Sequence, residues 1–353
     1  MFRKLKYLLL AFTNLFTKSR VIIISERADW VINEIAKETA AKLNRQYPGL
    51  AKVAYSTYFL KNKILHFSSI NTLVDDGRLV KFHNSNRAVL TWYHVIENDK
   101  RMALIPEINK IVSFVHTACQ LTYNKLLASG FPANKLVLIP ESIDLNRFRV
   151  YSTIEKDKIK NKLNLPSDKM IIGSFQKDGV GWKEGNGPKL IKGPDIFCSV
   201  VENLVKNHPV HVLLTGPARG YVKNRLRSAG ISFTHIFFKN YYEVVDYYNV
   251  LDLYLITSRE EGGPKAILES WACGVPLVST AVGMALDVII NEKNGFLAPI
   301  GSVEKITNYS DKLINDPALR AKITFQALAD VKKHDLAIMA KSFYEKFYQP
   351  FLR

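Results

Sequence analysis

The chain has 353 residues, 47% hydrophobic and 23% charged, with a formal net charge of +17. These values exclude a disordered chain, and the length suits two domains that each bury a core. The cationic balance favours anionic partners such as nucleotides or an acidic membrane face, and with no arginine-rich arm or zinc-finger spacing, nucleic acid is the weaker partner.

The chain starts "MFRKLKYLLLAFTNLFTKSR". Its apolar run is too short for a bilayer span of roughly 20 residues, and it lacks a small-residue cleavage site, so it is not read as a signal peptide. Two readings stay open: a basic apolar segment lying on an anionic leaflet, or an extra helix packed on the first domain. "RVIIIS" is the first strand, followed by a helix over "DWVINEIAKETAAKLNR" with Trp30, Ile32, Ile35 and Ala36 at helical spacing. "AKVAYS", "KILHFSS", "RAVLTWYH", "KIVSFVHTAC" and "KLVLIP" are further buried strands, and "QLTYNKLLASG" is a helix closed by Gly130. The polar stretch "ESIDLNRFRVYSTIEKDKIKNKLNLPSDK" reads as a domain connection holding a short helix.

The alternation then restarts. "MIIGSF", "VHVLLTG", "THIFFK", "DLYLITS", "PLVST" and "FLAP" are strands, separated by helical patterns such as "PDIFCSVVENLVKN" and "GYVKNRLRSAG". Two helices follow, and the last segment carries Phe343, Tyr344, Phe347 and Tyr348 at helical spacing, a stripe that suits packing against protein. Apolar strands alternating with helices give an α/β chain with parallel sheets covered on both faces. The expected organisation is two facing Rossmann-like, doubly wound domains with a cleft between them. Residues 1–147 form the first domain, 148–335 the second, and 336–353 a C-terminal helix packing back toward the first. Ligands of such sheets bind beyond the carboxyl ends of the strands.

One turn stands out. In "SREEGGPKAILESWACGVPLVST", residues 258–280, the chain leaves a buried strand through Gly262 and Gly263. Pro264 fits the first helical position and Gly274 the helix end, so the helix is predicted from about 264 to 273, with its N–H groups facing an anion. Glu261 stands ahead of the first turn, and Glu269, five residues past Pro264, lies about 7.5 Å along the axis from it. A carboxylate accepts two hydrogen bonds side by side and suits a vicinal diol, so paired acids beside an anion site suit a nucleotide sugar. The bland reading is two surface glutamates on a capped helix.

"EGGPKAILESWACGVPLVST" with the later "NGFLAP" resembles the signature of family 4 glycosyltransferases of the GT-B fold, whose E-x7-E motif is matched by Glu261 and Glu269. "KLVLIPESIDLNRF" is similar to the family's domain junction, with Ser142 and Ile143 replacing its usual Gly and Val. The resemblance covers most of the C-terminal half. The N-terminal half matches only in its strand–helix rhythm and in "TWYH".

The resemblance implies a retaining hexosyltransferase that uses a nucleoside-diphosphate sugar. Its acceptor would be a glycan or a lipid-linked sugar in envelope or surface polysaccharide synthesis. It implies Lys177 and Lys192 as the cations meeting the departing diphosphate, although Lys177 stands where the family has Arg and so gives up a planar fork. Glu261 would position the sugar and Gly262, Gly263, Pro264, Glu269 and Gly216 would line the donor site, with Arg219 as an added cation. His94 would orient the sugar's 6-hydroxyl, and His116 is a weaker candidate. No metal or other cofactor is expected, and His208 and His211 lack a third ligand. The family's glycine-rich turn after the first strand is replaced by "SERADWVINE", where Glu26, Arg27 and Asp29 either meet a polar acceptor or cap a helix. The glycine-rich insertion 178–189 is either a mobile flap or a variable surface insertion. Cys119, Cys198 and Cys273, with no CxxC, fit a reducing compartment. The expected location is the cytoplasm, peripheral on the inner membrane face. The alternatives are a GT-B nucleotide-sugar epimerase, a non-catalytic nucleotide-sugar binding protein, and a basic module binding membrane or nucleic acid.

Overall fold

Short β-branched and leucine-rich runs, fully buried in the central strands and partly so at the edges, build two parallel sheets. The structure, a computed structural model, describes residues 11–26, 31–96, 99–181, 183–238 and 240–352. Residues 1–10, Arg27, Asp29, Trp30 and the Ile32 side chain, which the sequence reading used, lie outside the described residues.

The strands are β1 (Val21–Ile24), β2 (Ala51–Ala54), β3 (Ile64–Phe67), a small antiparallel pair β4 (Val74–Asp75) and β5 (Arg78–Leu79), β6 (Arg87–Thr91), β7 (Val112–Thr117) and β8 (Leu136–Leu138). The second series is β9 (Met170–Ser174), β10 (Val210–Thr215), β11 (Phe233–Ile236), β12 (Leu253–Ile256), β13 (Leu277–Thr280) and β14 (Phe296–Ala298). The first sheet is ordered β2-β1-β3-β6-β7-β8 and the second β11-β10-β9-β12-β13-β14, every pairing in both being parallel. Each sheet is a Rossmann-like, doubly wound arrangement. In the second, the chain winds outward from β9 through β10 to β11, then returns to the other side of β9 with β12. The neighbours β9 and β12 therefore flank a topological switch point, beyond whose strand ends such sheets bind ligands.

The chain divides into two compact units, Met1–Glu141 with Leu336–Arg353, and Ser142–Asp335. The division falls six residues ahead of the 147/148 boundary expected from sequence. The reason is local: Ile143 N–H donates to His334 O at 2.9 Å, and Asp144 O accepts from Arg147 and Phe148 N–H, so residues 143–148 fold as part of the second unit.

In the first unit the C-terminal segment is held by a buried polar chain. Tyr348 OH lies 2.7 Å from His66 Nδ1, His66 Nε2 lies 2.7 Å from Thr91 Oγ1, Thr91 Oγ1 lies 3.0 Å from His116 Nδ1, and His116 Nε2 lies 2.8 Å from Ile139 O. The carbonyl can only accept, so every proton in the chain is assigned. His116 Nε2–H donates to Ile139, Thr91 O–H to His116, His66 Nε2–H to Thr91, and Tyr348 O–H to His66. Both imidazoles are neutral. Burial lowers the His66 pKa to about 3 and the His116 pKa to about 4. The expected aromatic stripe packs here: Phe343, Phe347 and Tyr348 are buried, and Tyr344 stacks on Tyr47 at 3.7 Å between ring centroids.

This network predicts a pH dependence. Both folded-state values lie below the unfolded value near 6.5, so the unfolded chain binds the extra protons. Stability is therefore full above about pH 6.5 and falls as pH drops toward the folded values, by about 1.4 kcal/mol per pH unit for each histidine. Urea melts between pH 7.5 and 4.5 measure it. A first-unit transition that does not weaken below pH 6 contradicts neutral, buried imidazoles.

Candidate functional site

Two loops meet at the carboxyl ends of β9 and β12. The first, residues 175–193, brings Gln176, Lys177 and Lys192; the second, 257–264, brings Ser258 and Glu261. Their junction is Gly193, whose φ is +63°. A Cβ there would sit 1.9 Å from Thr257 O, and Thr257 Oγ1 donates to Gly193 O at 2.9 Å. Only glycine allows this approach. Arg259 adds a staple: its N–H donates to Ile191 O at 2.8 Å and its guanidinium grips both Asp195 oxygens at 2.8 and 2.6 Å. The Arg259 hydrogen bonds hold the Asp195 carboxyl below its usual range.

The stapled loops bring together the sequence-predicted pair. Lys192 Nζ lies 2.5 Å from Glu261 Oε1, with the two side chains 18% and 10% exposed. Ser258 Oγ stands 2.8 Å from the same oxygen and 3.2 Å from Gln176 Oε1. The hydroxyl has one proton, and the shorter, charge-assisted contact to Glu261 takes it. Gln176 Nε2 in turn donates to Lys192 O at 2.7 Å. The backbone of the turn is fixed from the other side, where Met284 N–H donates to Gly262 O at 2.9 Å and Thr280 Oγ1 to Ser258 O at 2.6 Å. Lys177 follows β9 and is half-buried. Its charge, with that of Lys192, acts on Lys189, whose pKa is lowered first by burial and then by these two ammonium groups. Ser258, Gln176, Thr257 and Lys189 were not predicted; the first three carry only the signal of position just after strands that flank the switch point, and Lys189, at the end of the insertion, carries none.

The helix after this turn is shorter than predicted. It runs Ala266–Ala272, so Pro264 precedes it rather than occupying its first position, and Pro264 O accepts the Ile267 N–H at 3.0 Å. The Ile267 N–H thus closes a tight turn on Pro264 in place of a first α-helical bond to Gly263. Seven residues give a weak macrodipole, so the positive character of the site lies in its lysines. Glu269 is 7% exposed and already hydrogen-bonded: Tyr241 OH donates to one oxygen and Tyr248 OH to the other, the latter at 2.8 Å.

Two further expectations are corrected. Arg219 is not an open cation beside Gly216: it is fully buried, 3.0 Å from Asp178, and donates to Ser174 O and Thr215 O at 2.6 and 2.9 Å. Gly216 itself has φ +85° with open space where a Cβ would point. His116 belongs to the buried network of the first unit, which removes it as a sugar contact. His94, also in the first unit, is exposed, and its carbonyl accepts the Trp92 indole N–H at 2.8 Å. Glu26 accepts from Ser69 Oγ and Asn71 Nδ2 at 2.7 and 3.2 Å. His208 pairs with Asp311 at 2.6 Å, while His211 meets Ser232 and Thr234. The three cysteines are buried and free, and burial pushes the Cys198 thiol up to about 12.

Residues 188–329 match the family model for glycosyl transferases group 1. Among curated proteins, the chain is 25% identical over 207 residues to the lipopolysaccharide core biosynthesis mannosyltransferase LpsB of Rhizobium meliloti, covering 56% of each chain. It is 26% identical over 235 residues to the capsular polysaccharide biosynthesis glycosyltransferase CapM of Staphylococcus aureus, covering 65% of this chain and 57% of that protein. The chain thus spans little more than half the length of these relatives. Among solved structures it is similar to Anabaena HepE in complex with UDP-glucose, with a TM-score of 0.75, 16% identity, and coverage of 93% of this chain and 99% of that one. The fold is therefore GT-B, and the segment that carries Lys192, Glu261 and Glu269 matches the model for glycosyl transferases group 1.

Proposed function

We propose that the protein is a retaining glycosyltransferase that moves a hexose from a nucleoside-diphosphate sugar to a glycan or lipid-linked acceptor in polysaccharide synthesis. The observation that carries this reading is the Lys192–Glu261 pair at the β9/β12 switch point, inside the segment matching the group 1 model. Fixed positive groups at a developing phosphate charge lower the barrier without reorganising. Lys192 and Lys177 take that role for the departing diphosphate, so no metal is called on. Glu261, held by Lys192 and Ser258, orients the sugar hydroxyls. Glu269 keeps acceptor capacity beyond its two tyrosine bonds and takes the ribose diol.

In the reaction, the bond from the sugar's anomeric carbon to the phosphate oxygen breaks, and the acceptor oxygen bonds to the same face. The acceptor's proton passes to the departing phosphate. The relatives named for lipopolysaccharide core and capsular polysaccharide synthesis support an envelope or surface glycan product. Support for a lipid-linked acceptor at an anionic membrane comes from the first unit. Phe12, Leu15, Phe16, Tyr58 and Phe59 are all exposed, Phe12 stacks on Phe59 at 5.3 Å, and Asn14 ties the two segments by donating to Ser56 O and Tyr58 O. A cationic cytoplasmic protein with such a patch sits on the inner leaflet.

The test is a thermal-shift screen of UDP-, GDP-, ADP- and CMP-linked sugars, since a ligand that favours the native state raises its melting temperature. One nucleoside-diphosphate sugar is expected to stand out, and its transfer product should retain the anomeric configuration by NMR. No shift with any donor, or a donor isomerised without acceptor, overturns the reading. Sedimentation with anionic vesicles, weakening as salt rises, tests the membrane part.

A further inference from the structure

The insertion 178–189 forms an arm that is pinned, among its described residues, at both ends and in its middle. Asp178 at its start is fully buried against Arg219, which is itself fixed by Ser174 and Thr215 carbonyls. The two ends of the arm are joined: Val180 N–H donates to Gly187 O at 2.9 Å and Lys189 N–H to Asp178 O at 2.7 Å. Its middle caps the helix Gly220–Ser228, where Glu184 O accepts from Gly220 N–H at 2.6 Å and Gly185 O from Tyr221 N–H at 3.0 Å. The glycines make this contact possible, since a Cβ on Gly179 or Gly185 would lie 2.1 or 2.5 Å from Ala218 O. Helix N–H groups that would otherwise face a ligand are thus spent on the arm.

The arm ends at Lys189, which caps the tight turn Leu190–Lys192; Lys192 N–H donates to Lys189 O at 2.8 Å. That bond closes a four-residue turn, so positions 189 and 192 are neighbours across it. Lys189 is half-buried, and among the described residues no carboxylate lies within ion-pair distance of it. Burial and the neighbouring Lys192 and Lys177 charges disfavour its ammonium form, with Glu261 opposing them. The Lys189 and Lys192 ammonium groups repel each other, and an arriving anion would relieve that repulsion.

We propose that Lys189 is a third phosphate-binding cation of the donor site, presented by a pinned arm rather than by a mobile flap. This rests on the donor-site reading above. Binding of UDP, GDP and ADP by calorimetry, on the full chain and its Lys189→Met, Lys189→Arg and Lys192→Met variants, tests it. Lys189→Met is expected to weaken the best-bound diphosphate about tenfold and to flatten the salt dependence of its binding. Its nucleotide-free melting temperature should hold or rise, because like-charge repulsion is removed, and Lys189→Arg should restore binding. A merely structural lysine would instead lower the melting temperature and leave the salt dependence alone. If Lys189→Met fails to fold, the same measurement on Lys189→Gln decides. Wild-type affinity in Lys189→Met with loss in Lys192→Met overturns the third cation and leaves the donor site standing. Wild-type affinity in both overturns the donor-site reading itself.

Discussion

Glu261→Gln is expected to lower the turnover number by about two to three orders of magnitude, the scale for losing one preorganised group at a developing charge. The substitution keeps the size of the side chain and removes its charge. Lys192, 2.5 Å away, then loses its counter-charge, and Ser258 loses its charge-assisted acceptor. The sugar would bind but in a scattered set of poses, so the loss falls on kcat more than on KM. Lys192→Met removes the opposite half of the pair and a phosphate contact together, and both kcat and donor KM should suffer. Each variant should stay folded, because the pair is partly open to water and its loss does not strand a fully buried ion. Steady-state kinetics with the donor identified by thermal shift, alongside circular-dichroism melts, give the answer. Turnover within threefold of wild type in either folded variant is incompatible with the assigned roles.

Gly193→Ala should act on stability and site at once. The new methyl would lie 1.9 Å from Thr257 O and 2.7 Å from its carbonyl carbon, on a backbone at φ +63°. Backbone cannot swing aside as a side-chain tip can, so the loops must part. Left-handed strain and overpacking together cost about 3 kcal/mol, which lowers the melting temperature by about 6–12 °C for a unit of this size. Parting the loops also draws Lys192 from Glu261, and transfer should fall with stability. Gly230→Ala is the control: its φ is +66°, but nothing lies within 4 Å of the added carbon, so only the backbone term of about 1 kcal/mol remains. Equal melting temperatures for the two variants would remove Gly193 as the joint of the site.

The two sheets were legible in the sequence because their parallel strands are buried on both faces and read as unbroken apolar runs. "VIII", "LYLI" and "LVST" needed no partner to be recognised. Glu261 and Lys192 were legible through spacing and resemblance to a family motif. Misread parts shared a different character. The helix start slipped from 264 to 266, because the Ile267 N–H first closes a tight turn on Pro264 O. Arg219 looked like a free cation because its partner Asp178 lies in an insertion whose path no local pattern specifies. The histidine chain joins strands β3, β6 and β7 to Tyr348, 282 residues from His66.

By itself, then, the sequence marked the strand and helix segments and their order, and singled out Glu261 and Lys192 as candidates, since periodicity and motif spacing are local properties of the chain. Only the tertiary structure decided that Lys192 and Glu261, 69 residues apart, share a hydrogen bond, that Arg219 is spent on the core, and that Glu184 and Gly185 cap the helix Gly220–Ser228. Those facts depend on close approach of distant backbone, set by steric fit at Gly193 and by the burial of specific polar partners. Neither leaves a periodic trace along the chain.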